Sequence, residues 1–333
     1  MASQEISPNS LRDFFGQDKI KNRLKILFSK VERGGKFPAS IFIYGPMLSG
    51  KSTLAKLIAR KLEKEIVYFE PGEDSKGLIS QILSARYPAI FVIDDLEQLK
   101  LSVQKLLAKI IKNKSLKISI EGEKELIKIN LGDLIVIGIS DRAGMVPKFI
   151  RENFSEIWHI ERYKIREIKK IIIWFSKKQK VDLDNDAAWE IAHASRKNPK
   201  RAIEILEKII DFAQNQKSKN ISFDLARKAL MSFGVDRIGL EKFDRDLLKT
   251  IIEKFGGGPV GIENFAARLG ESPWNIEEIH EPYLIEIGFL KRTPRGRIAT
   301  REAHEYLGYQ YAVGKAPAKI TGSKISRDQK KLL

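Results

Sequence analysis

Cysteine is absent from the 333 residues, which excludes disulfides, thiolate zinc sites and a cysteine nucleophile. Histidine is scarce: the four, His159, His193, His280 and His304, have no metal-ligand spacing. Any metal chemistry must therefore run through carboxylates or phosphates. No apolar run approaches the roughly 18 residues that a bilayer span needs, so a membrane protein is not expected. The stretch MASQEISPNSLRDFF has neither a basic start nor an apolar run with a small-residue cleavage site, and a cytoplasmic location is the expectation. Acidic residues are also in deficit, 43 against 60 Lys+Arg, for a formal charge of +17. That excess favours polyanionic partners, nucleic acid first. A Lys-rich solubilising surface accounts for the charge equally well.

What is present is a folded composition, 43% hydrophobic and 31% charged, on a chain long enough for two or three domains. Ile20, Leu24, Leu27 and Val31 recur at helical spacing; Ile41 to Tyr44 is a short apolar run ending at Gly45; a helical stretch follows from Lys51 to Lys64. Ala89 to Ile93 and Leu134 to Ile139 are short, continuous and β-branched, as in parallel strands covered on both faces. Together these predict an α/β nucleotide-binding core. Leu116 to Leu131 alternates about Glu121-Gly122-Glu123 and predicts an inserted β-hairpin. Helical periodicity continues near 164–179, 186–195, 200–216 and 222–233. Helices near 244–255, 262–269 and 275–287, then a strand pair broken at Pro294-Arg295-Gly296, suggest a winged helix. Beyond Gly308 the tail is Lys-rich with little apolar content and is expected to be disordered.

The chemistry concentrates at Gly45-Pro46-Met47-Leu48-Ser49-Gly50-Lys51-Ser52, which fits the phosphate-loop pattern GxxxxGK[ST] between a strand and a helix. In that context Gly45 and Gly50 let backbone N–H groups turn onto phosphates, Lys51 reaches the β- and γ-phosphates, and Ser52 can ligate Mg²⁺. Thr53 follows in the same turn and is counted with Gly45, Pro46, Gly50, Lys51 and Ser52 as nucleotide-binding. Ile90-Phe91-Val92-Ile93-Asp94-Asp95 then places two acids at the end of a buried strand, in the manner of a Walker B element. Asp94 is the expected Mg²⁺ ligand and Asp95 the group that polarises the attacking water. Two acids capping a strand into the next helix is the plainer alternative. The expected cofactors are ATP and Mg²⁺.

With these motifs in place, the chain from about Pro8 to Gly308 resembles the RuvB family of AAA+ ATPases, the motors that move Holliday junctions. The most specific matches are Glu253-Lys254-Phe255-Gly256-Gly257-Gly258-Pro259-Val260-Gly261, Glu281-Pro282-Tyr283-Leu284-Ile285 and Gly288-Phe289-Leu290-Lys291-Arg292-Thr293-Pro294-Arg295-Gly296-Arg297. Phe15-Gly16-Gln17 and Asp141-Arg142-Ala143-Gly144 add to them. The resemblance implies an AAA+ P-loop core with a parallel sheet over residues 1–160, a small helical lid over 161–234 and a C-terminal winged helix over 235–310, then the tail at 311–333. It implies that Phe14 and Phe15 pack the adenine, that Tyr163 and Pro199 close over it, and that Ser140 keeps a hydroxyl at the sensor-1 position. For Phe14 and Phe15, ordinary core packing is an equal account. It implies that Ile127 and Ile129, on the hairpin, dock the partner RuvA, and that Arg292, Arg295 and Arg297 on the wing meet the phosphates of double-stranded DNA without reading bases. The implied assembly is a homohexamer or a ring shared with a RuvB paralogue.

The same resemblance marks three departures. Asp95 stands where the family has Glu, Asn153 where it has the arginine finger, and Lys200 where it has the sensor-2 arginine. Arg151, two residues before Asn153, and Arg201, beside Lys200, are the candidate substitutes for the finger and the sensor. The leading expectation is a hexameric ATP-driven motor for branch migration. The alternative is a ring subunit that binds ATP and DNA but hydrolyses little by itself. A helicase loader or replication initiator is a third possibility, which the third-domain signatures argue against.

Overall fold

The computed structural model of the chain describes residues 7–69, 72, 74–86, 88–118, 127–131 and 134–311. These fall into two compact units, Met1–Leu183 with Lys197–Glu207, and Asp184–Arg196 with Lys208–Leu333.

The strands of the first unit are β1 (Ser40–Tyr44), β2 (Glu65–Phe69), β3 (Ala89–Ile93), β4 (Ser115–Ile118), β5 (Ile127–Asn130), β6 (Leu134–Ser140) and β7 (Glu156–His159). Five of them form a parallel sheet in the order β2-β3-β6-β1-β7. Its centre is the part with continuous apolar runs, because β3 and β6 are buried at every residue and have no polar face to offer water. Side chains alternate between the two faces. Phe42, Phe91 and Val136 enter one core. Ile41, Ile43, Ile90, Val92, Ile135 and Ile137 enter the other.

The helices of this unit are α1 (Asp18–Glu32), α2 (Lys51–Lys61), α3 (Ser75–Ser84), α4 (Leu101–Asn113), α5 (Lys148–Arg151) and α6 (Ile165–Lys178). Leu24, Leu27, Leu54 and Ile58 of α1 and α2 fill the second core; Leu78, Val103 and Leu107 of α3 and α4 fill the first. Each such side chain contributes about 1.5–3 kcal/mol when fully buried. β4 and β5 pair antiparallel, with Leu116 opposite Ile129 and Ile118 opposite Ile127. Ile120 and the expected turn at Glu121-Gly122-Glu123 lie outside the described residues.

In the second unit α7 (Asn185–Ala194) and α9 (Phe223–Ser232) pack together, and α8 (Pro199–Asn215) runs into it from the first. Then come α10 (Lys242–Phe255), α11 (Ile262–Leu269), α12 (Pro273–Asn275), a π turn at Ile276–His280 and α13 (Glu281–Glu286). The expected helix near 275–287 is thus present from Pro273 to Glu286, with a π turn in its middle. The hairpin β8 (Leu290–Thr293) and β9 (Gly296–Ala299) follows, with α14 (Arg301–Tyr306) after it. One core built on Leu247, Leu248, Ile251, Phe265, Leu284 and Leu290 holds these elements together. Of the expected disordered tail, residues 312–333 lie outside the described residues. Among the described residues no helix is long and apolar enough to cross a membrane.

Candidate nucleotide site and DNA interface

Register brings the catalytic candidates together. Tyr44 pairs with Ser140 across β1 and β6, and Ile93 pairs with Gly138 across β3 and β6. The C-terminal ends of three neighbouring strands therefore deliver the phosphate loop, Asp94 and Ser140 to one edge of the sheet, where open α/β sheets bind ligands.

The loop needs its glycines. Gly45 has φ 155° and a Cβ there would lie 2.5 Å from the Ile160 carbonyl oxygen. Gly50 has φ 93°, and its Cβ would meet the Phe14 ring at 3.2 Å and the Tyr163 hydroxyl at 3.7 Å. No side chain caps the start of α2, so its first N–H groups face the site available to an anion.

Lys51 is buried, 5% exposed. Its Nζ donates to the carbonyls of Gly45 at 3.2 Å and Pro46 at 2.8 Å and forms an ion pair with Asp141. Ser52 Oγ donates to Asp94 Oδ2 at 3.0 Å, and the Asp95 N–H donates to Asp94 Oδ1 at 3.1 Å. A hydroxyl and a carboxylate side by side are hard oxygen donors suited to Mg²⁺, which takes few protein ligands and completes its shell with phosphate and water. Among the described residues no group of three or more His, Asp or Glu forms a separate metal cage. Asp95 sits in the left-handed region at φ 47°. Burial raises its carboxyl above the ordinary value, and the charges of Asp94, Glu97 and Asp141 add to that, against the pull of Lys51.

These groups open onto a cavity of about 740 Å³ within the first unit. Phe14, Phe15, Gly50, Lys51, Ser52, Thr53, Asp94, Asp95, Tyr163, Pro199 and Lys200 all line it. Burial raises the Tyr163 phenol well above its usual value. Asn198 Nδ2 donates to the Met47 carbonyl at 3.3 Å, fastening the start of α8 to the loop. Ser140 is fully buried and its Oγ accepts from the Arg142 N–H at 2.9 Å; its neighbour Asp141 lines the cavity instead. Sequence reasoning also passed over Trp174 and Asp13, which line the cavity and share a 3.1 Å hydrogen bond. The available signal for Asp141 was an acid directly after a buried strand, the same signal that singled out Asp94.

Arg151 and Asn153 lie at the end of α5 and do not line this cavity. Asn153 Nδ2 donates to the Phe149 carbonyl at 2.6 Å, and the buried Arg151 Nε has no hydrogen-bond partner among the described residues. On the hairpin, Ile127 is exposed, whereas Ile129 is partly buried and packs against the first core.

The wing departs from the expected row of three free guanidinium groups. Arg292 and Arg297 stand opposite each other across β8 and β9. Arg297 is buried; its Nε donates to Glu281 Oε1 at 2.6 Å and its Nη2 pairs with Glu277. Arg292 donates from Nε to Glu281 Oε2 at 3.0 Å. Glu281 is fully buried, so it requires these cations to offset its desolvation. Arg297 is thereby a structural counter-ion, while Arg292, half exposed although it is paired with Glu281, and Arg295, exposed in the turn with Lys291 on β8, are what the wing leaves facing outward.

Three family models match the chain: the Holliday junction DNA helicase RuvB P-loop domain over residues 6–160, the RuvB AAA lid domain over 163–236 and the RuvB C-terminal winged helix domain over 237–308. Over 313 residues the chain is 33% identical to the Holliday junction branch migration complex subunit RuvB of Acholeplasma laidlawii, covering 93% of each. Among solved structures it is similar to the Thermotoga maritima RuvB Holliday junction branch migration motor, with 33% identity and a TM-score of 0.80 over 93% of this chain and all of that one. An alanine-to-serine variant of the Thermotoga protein matches at 31% identity and a TM-score of 0.82, with the same coverage.

Proposed function

Because the chain belongs to the RuvB family, a family of ATPases, we propose that it is a cytoplasmic motor subunit that couples ATP hydrolysis to the migration of Holliday junctions. In this reading six copies, or copies mixed with a RuvB paralogue, encircle duplex DNA and are recruited by RuvA. The observation that carries it is the meeting of Lys51, Ser52 and Asp94 at adjacent strand ends, on one cavity with Phe14, Tyr163 and Pro199.

The chain's own groups divide the work. The loop N–H groups and Lys51 hold the phosphates. Phe14, Phe15, Tyr163 and Pro199 surround the base, and Lys200, on the same helix as Pro199, extends toward the phosphates. Ser52 and Asp94 hold Mg²⁺, which when bound draws charge from the phosphate oxygens. Asp95 orients the attacking water. Asn153 and Arg151 do not line the cavity of their own subunit, and in this reading any part they take in hydrolysis is in a neighbour's site. Ile127 offers RuvA an apolar contact, and Arg295, with Arg292 behind it, faces the DNA backbone.

A second reading, a ring subunit with little turnover of its own, is favoured by Asn153 and Asp95. An arginine finger is worth ~10³ to 10⁵ in rate, and an uncharged amide engaged with the Phe149 carbonyl does not replace it. Steady-state ATP hydrolysis with Mg²⁺, with and without a four-way junction and RuvA, separates the two. Turnover above a Lys51→Ala blank that rises with DNA supports the motor. Turnover at the blank that climbs only in the double variant Asp95→Glu, Asn153→Arg supports the second reading.

A further inference from the structure

The second unit carries a cavity that neither the nucleotide site nor the wing uses. Its volume is about 440 Å³, it shares no lining residue with the first cavity, and α7, α9, α10, the segment 234–237 and the end of α14 enclose it. Four cations line it, Arg227, Arg237, Arg245 and Lys249, against two acids, Glu190 and Asp236, a surplus of two positive charges. Both acids are already engaged. Asp236 accepts from the N–H groups of Ile238 and Leu240 at 3.1 and 2.8 Å, from the Tyr306 hydroxyl at 2.7 Å and from Arg245 Nη1 at 3.4 Å. Glu190 lies 3.7 Å from Arg237 Nε. Arg227 on α9 and Lys249 on α10 are partly buried and have no hydrogen-bond or ion-pair partner among the described residues. Cations held partly out of water favour a counter-ion. Glu190 supplies an independent observation: it is 9% exposed, and its buried Oε1 accepts no hydrogen bond from any described residue. That leaves a place for a donor from outside the chain.

The charge selects the anion. A carboxylate or a phosphodiester brings one negative charge, whereas a phosphate monoester brings about two at neutral pH and offers several oxygens to a guanidinium and an ammonium together. The volume falls within the range of small-molecule sites, about 300–1,000 Å³, and is too small to admit a duplex. We propose that this cavity binds a phosphate monoester of about mononucleotide size. Its phosphate meets Arg227 and Lys249, a hydroxyl or amino group donates to Glu190, and its apolar part packs on Leu230, Val235 and Leu307. Since α9 falls in the stretch matched by the lid model and α10 in the stretch matched by the winged-helix model, the occupant ties the two together. The same chemistry comes from a free mononucleotide or from the phosphorylated end of a DNA strand.

The test is calorimetric titration of thymidine monophosphate, and of thymidine as the probe without phosphate, into the full chain saturated with ADP and Mg²⁺. The monophosphate should bind about tenfold or more tightly than thymidine, and Arg227→Gln and Lys249→Met should each weaken it about tenfold or more. Both variants should keep the urea midpoint and the ADP affinity of the unmodified chain. Lys228→Met, which removes an exposed charge next to Arg227, should leave the monophosphate constant in place. No binding of either probe, equal binding of the two, or a monophosphate constant that Arg227→Gln and Lys249→Met leave unchanged overturns the proposal. Single-stranded oligonucleotides with and without a terminal phosphate separate the sources. A preference for the phosphorylated end that is lost in Arg227→Gln assigns the site to strand ends; equal binding of the two oligonucleotides, with the monophosphate still bound, assigns it to the free ligand.

Discussion

At the scale of single residues, the charged side chains of the second unit sort by burial. Arg297 and Glu281 are buried and mutually paired, while Arg295 is exposed in the wing turn. Removing one partner of a buried pair strands the other, at a cost of about 3–5 kcal/mol. Arg297→Ala should therefore lower the unfolding midpoint in urea sharply. Arg295→Ala should leave that midpoint in place, weaken duplex binding for every sequence tested and reduce the slope of log affinity against log salt by about one. Equal effects of the two substitutions on DNA affinity at unchanged stability would restore the sequence-based view of the wing. For Arg297 the structure departs from that view, for a physical reason. A row of arginines reads as a cationic edge until the acids that fold against it are known, and Glu277 and Glu281 come from a different element. By contrast, the phosphate loop was legible because its glycines, lysine and serine are contiguous. Gly45→Ala should abolish nucleotide binding, since the added carbon meets the Ile160 carbonyl; retained binding in an ADP titration would contradict the tight approach.

At the scale of elements, the sheet strands that declared themselves were the continuous apolar runs, while the two hairpins declared themselves by a turn between paired strands. β3 and β6 lie in the middle of the sheet and need no polar face. β2 and β7 lie at its edges, and their sequences, Glu65-Ile66-Val67-Tyr68-Phe69 and Glu156-Ile157-Trp158-His159, mix exposed and buried residues over only four or five positions. So short a mixed pattern does not distinguish a strand from a loop. Helix α10 depends on an ionic fastening of the same hidden kind. Asp244 on it is fully buried and accepts from His280 Nδ1 at 2.8 Å and from the Glu241 N–H at 2.7 Å, and it pairs with Arg196. Burial pushes the Asp244 carboxyl up, but the His280 hydrogen bond, the Arg196 charge and the Glu241 N–H together hold it below its ordinary value. A carboxyl depressed in the folded state contributes stability that is present above its unfolded pKa, about 3.9, and lost as pH falls through the lowered folded value. Asp244→Asn should thus be less stable than the unmodified chain near neutrality, and the gap should narrow on acidification below about pH 4. Parallel stability curves down to the acid transition would show that Asp244 does not carry this linkage.

At the scale of the whole molecule, the charge of +17 and the wing turn both suit a partner recognised by its phosphates. Affinity for duplexes of unrelated sequence should be alike, and should fall by orders of magnitude between about 50 and 200 mM salt. Anisotropy titrations that ranked sequences strongly at fixed salt would argue for base readout instead. ATP binding, a wing and a positive surface still do not make a motor unless turnover moves DNA, and two departures from the family pattern, Asp95 on the cavity and Asn153 off it, bear on that step. The most direct measurement is ATP-driven migration of a synthetic four-way junction with labelled arms, by this chain with RuvA and Mg²⁺. The account predicts conversion to duplex products that requires ATP and disappears in Lys51→Ala. Junctions that stay intact while the chain binds ATP and DNA normally would contradict it.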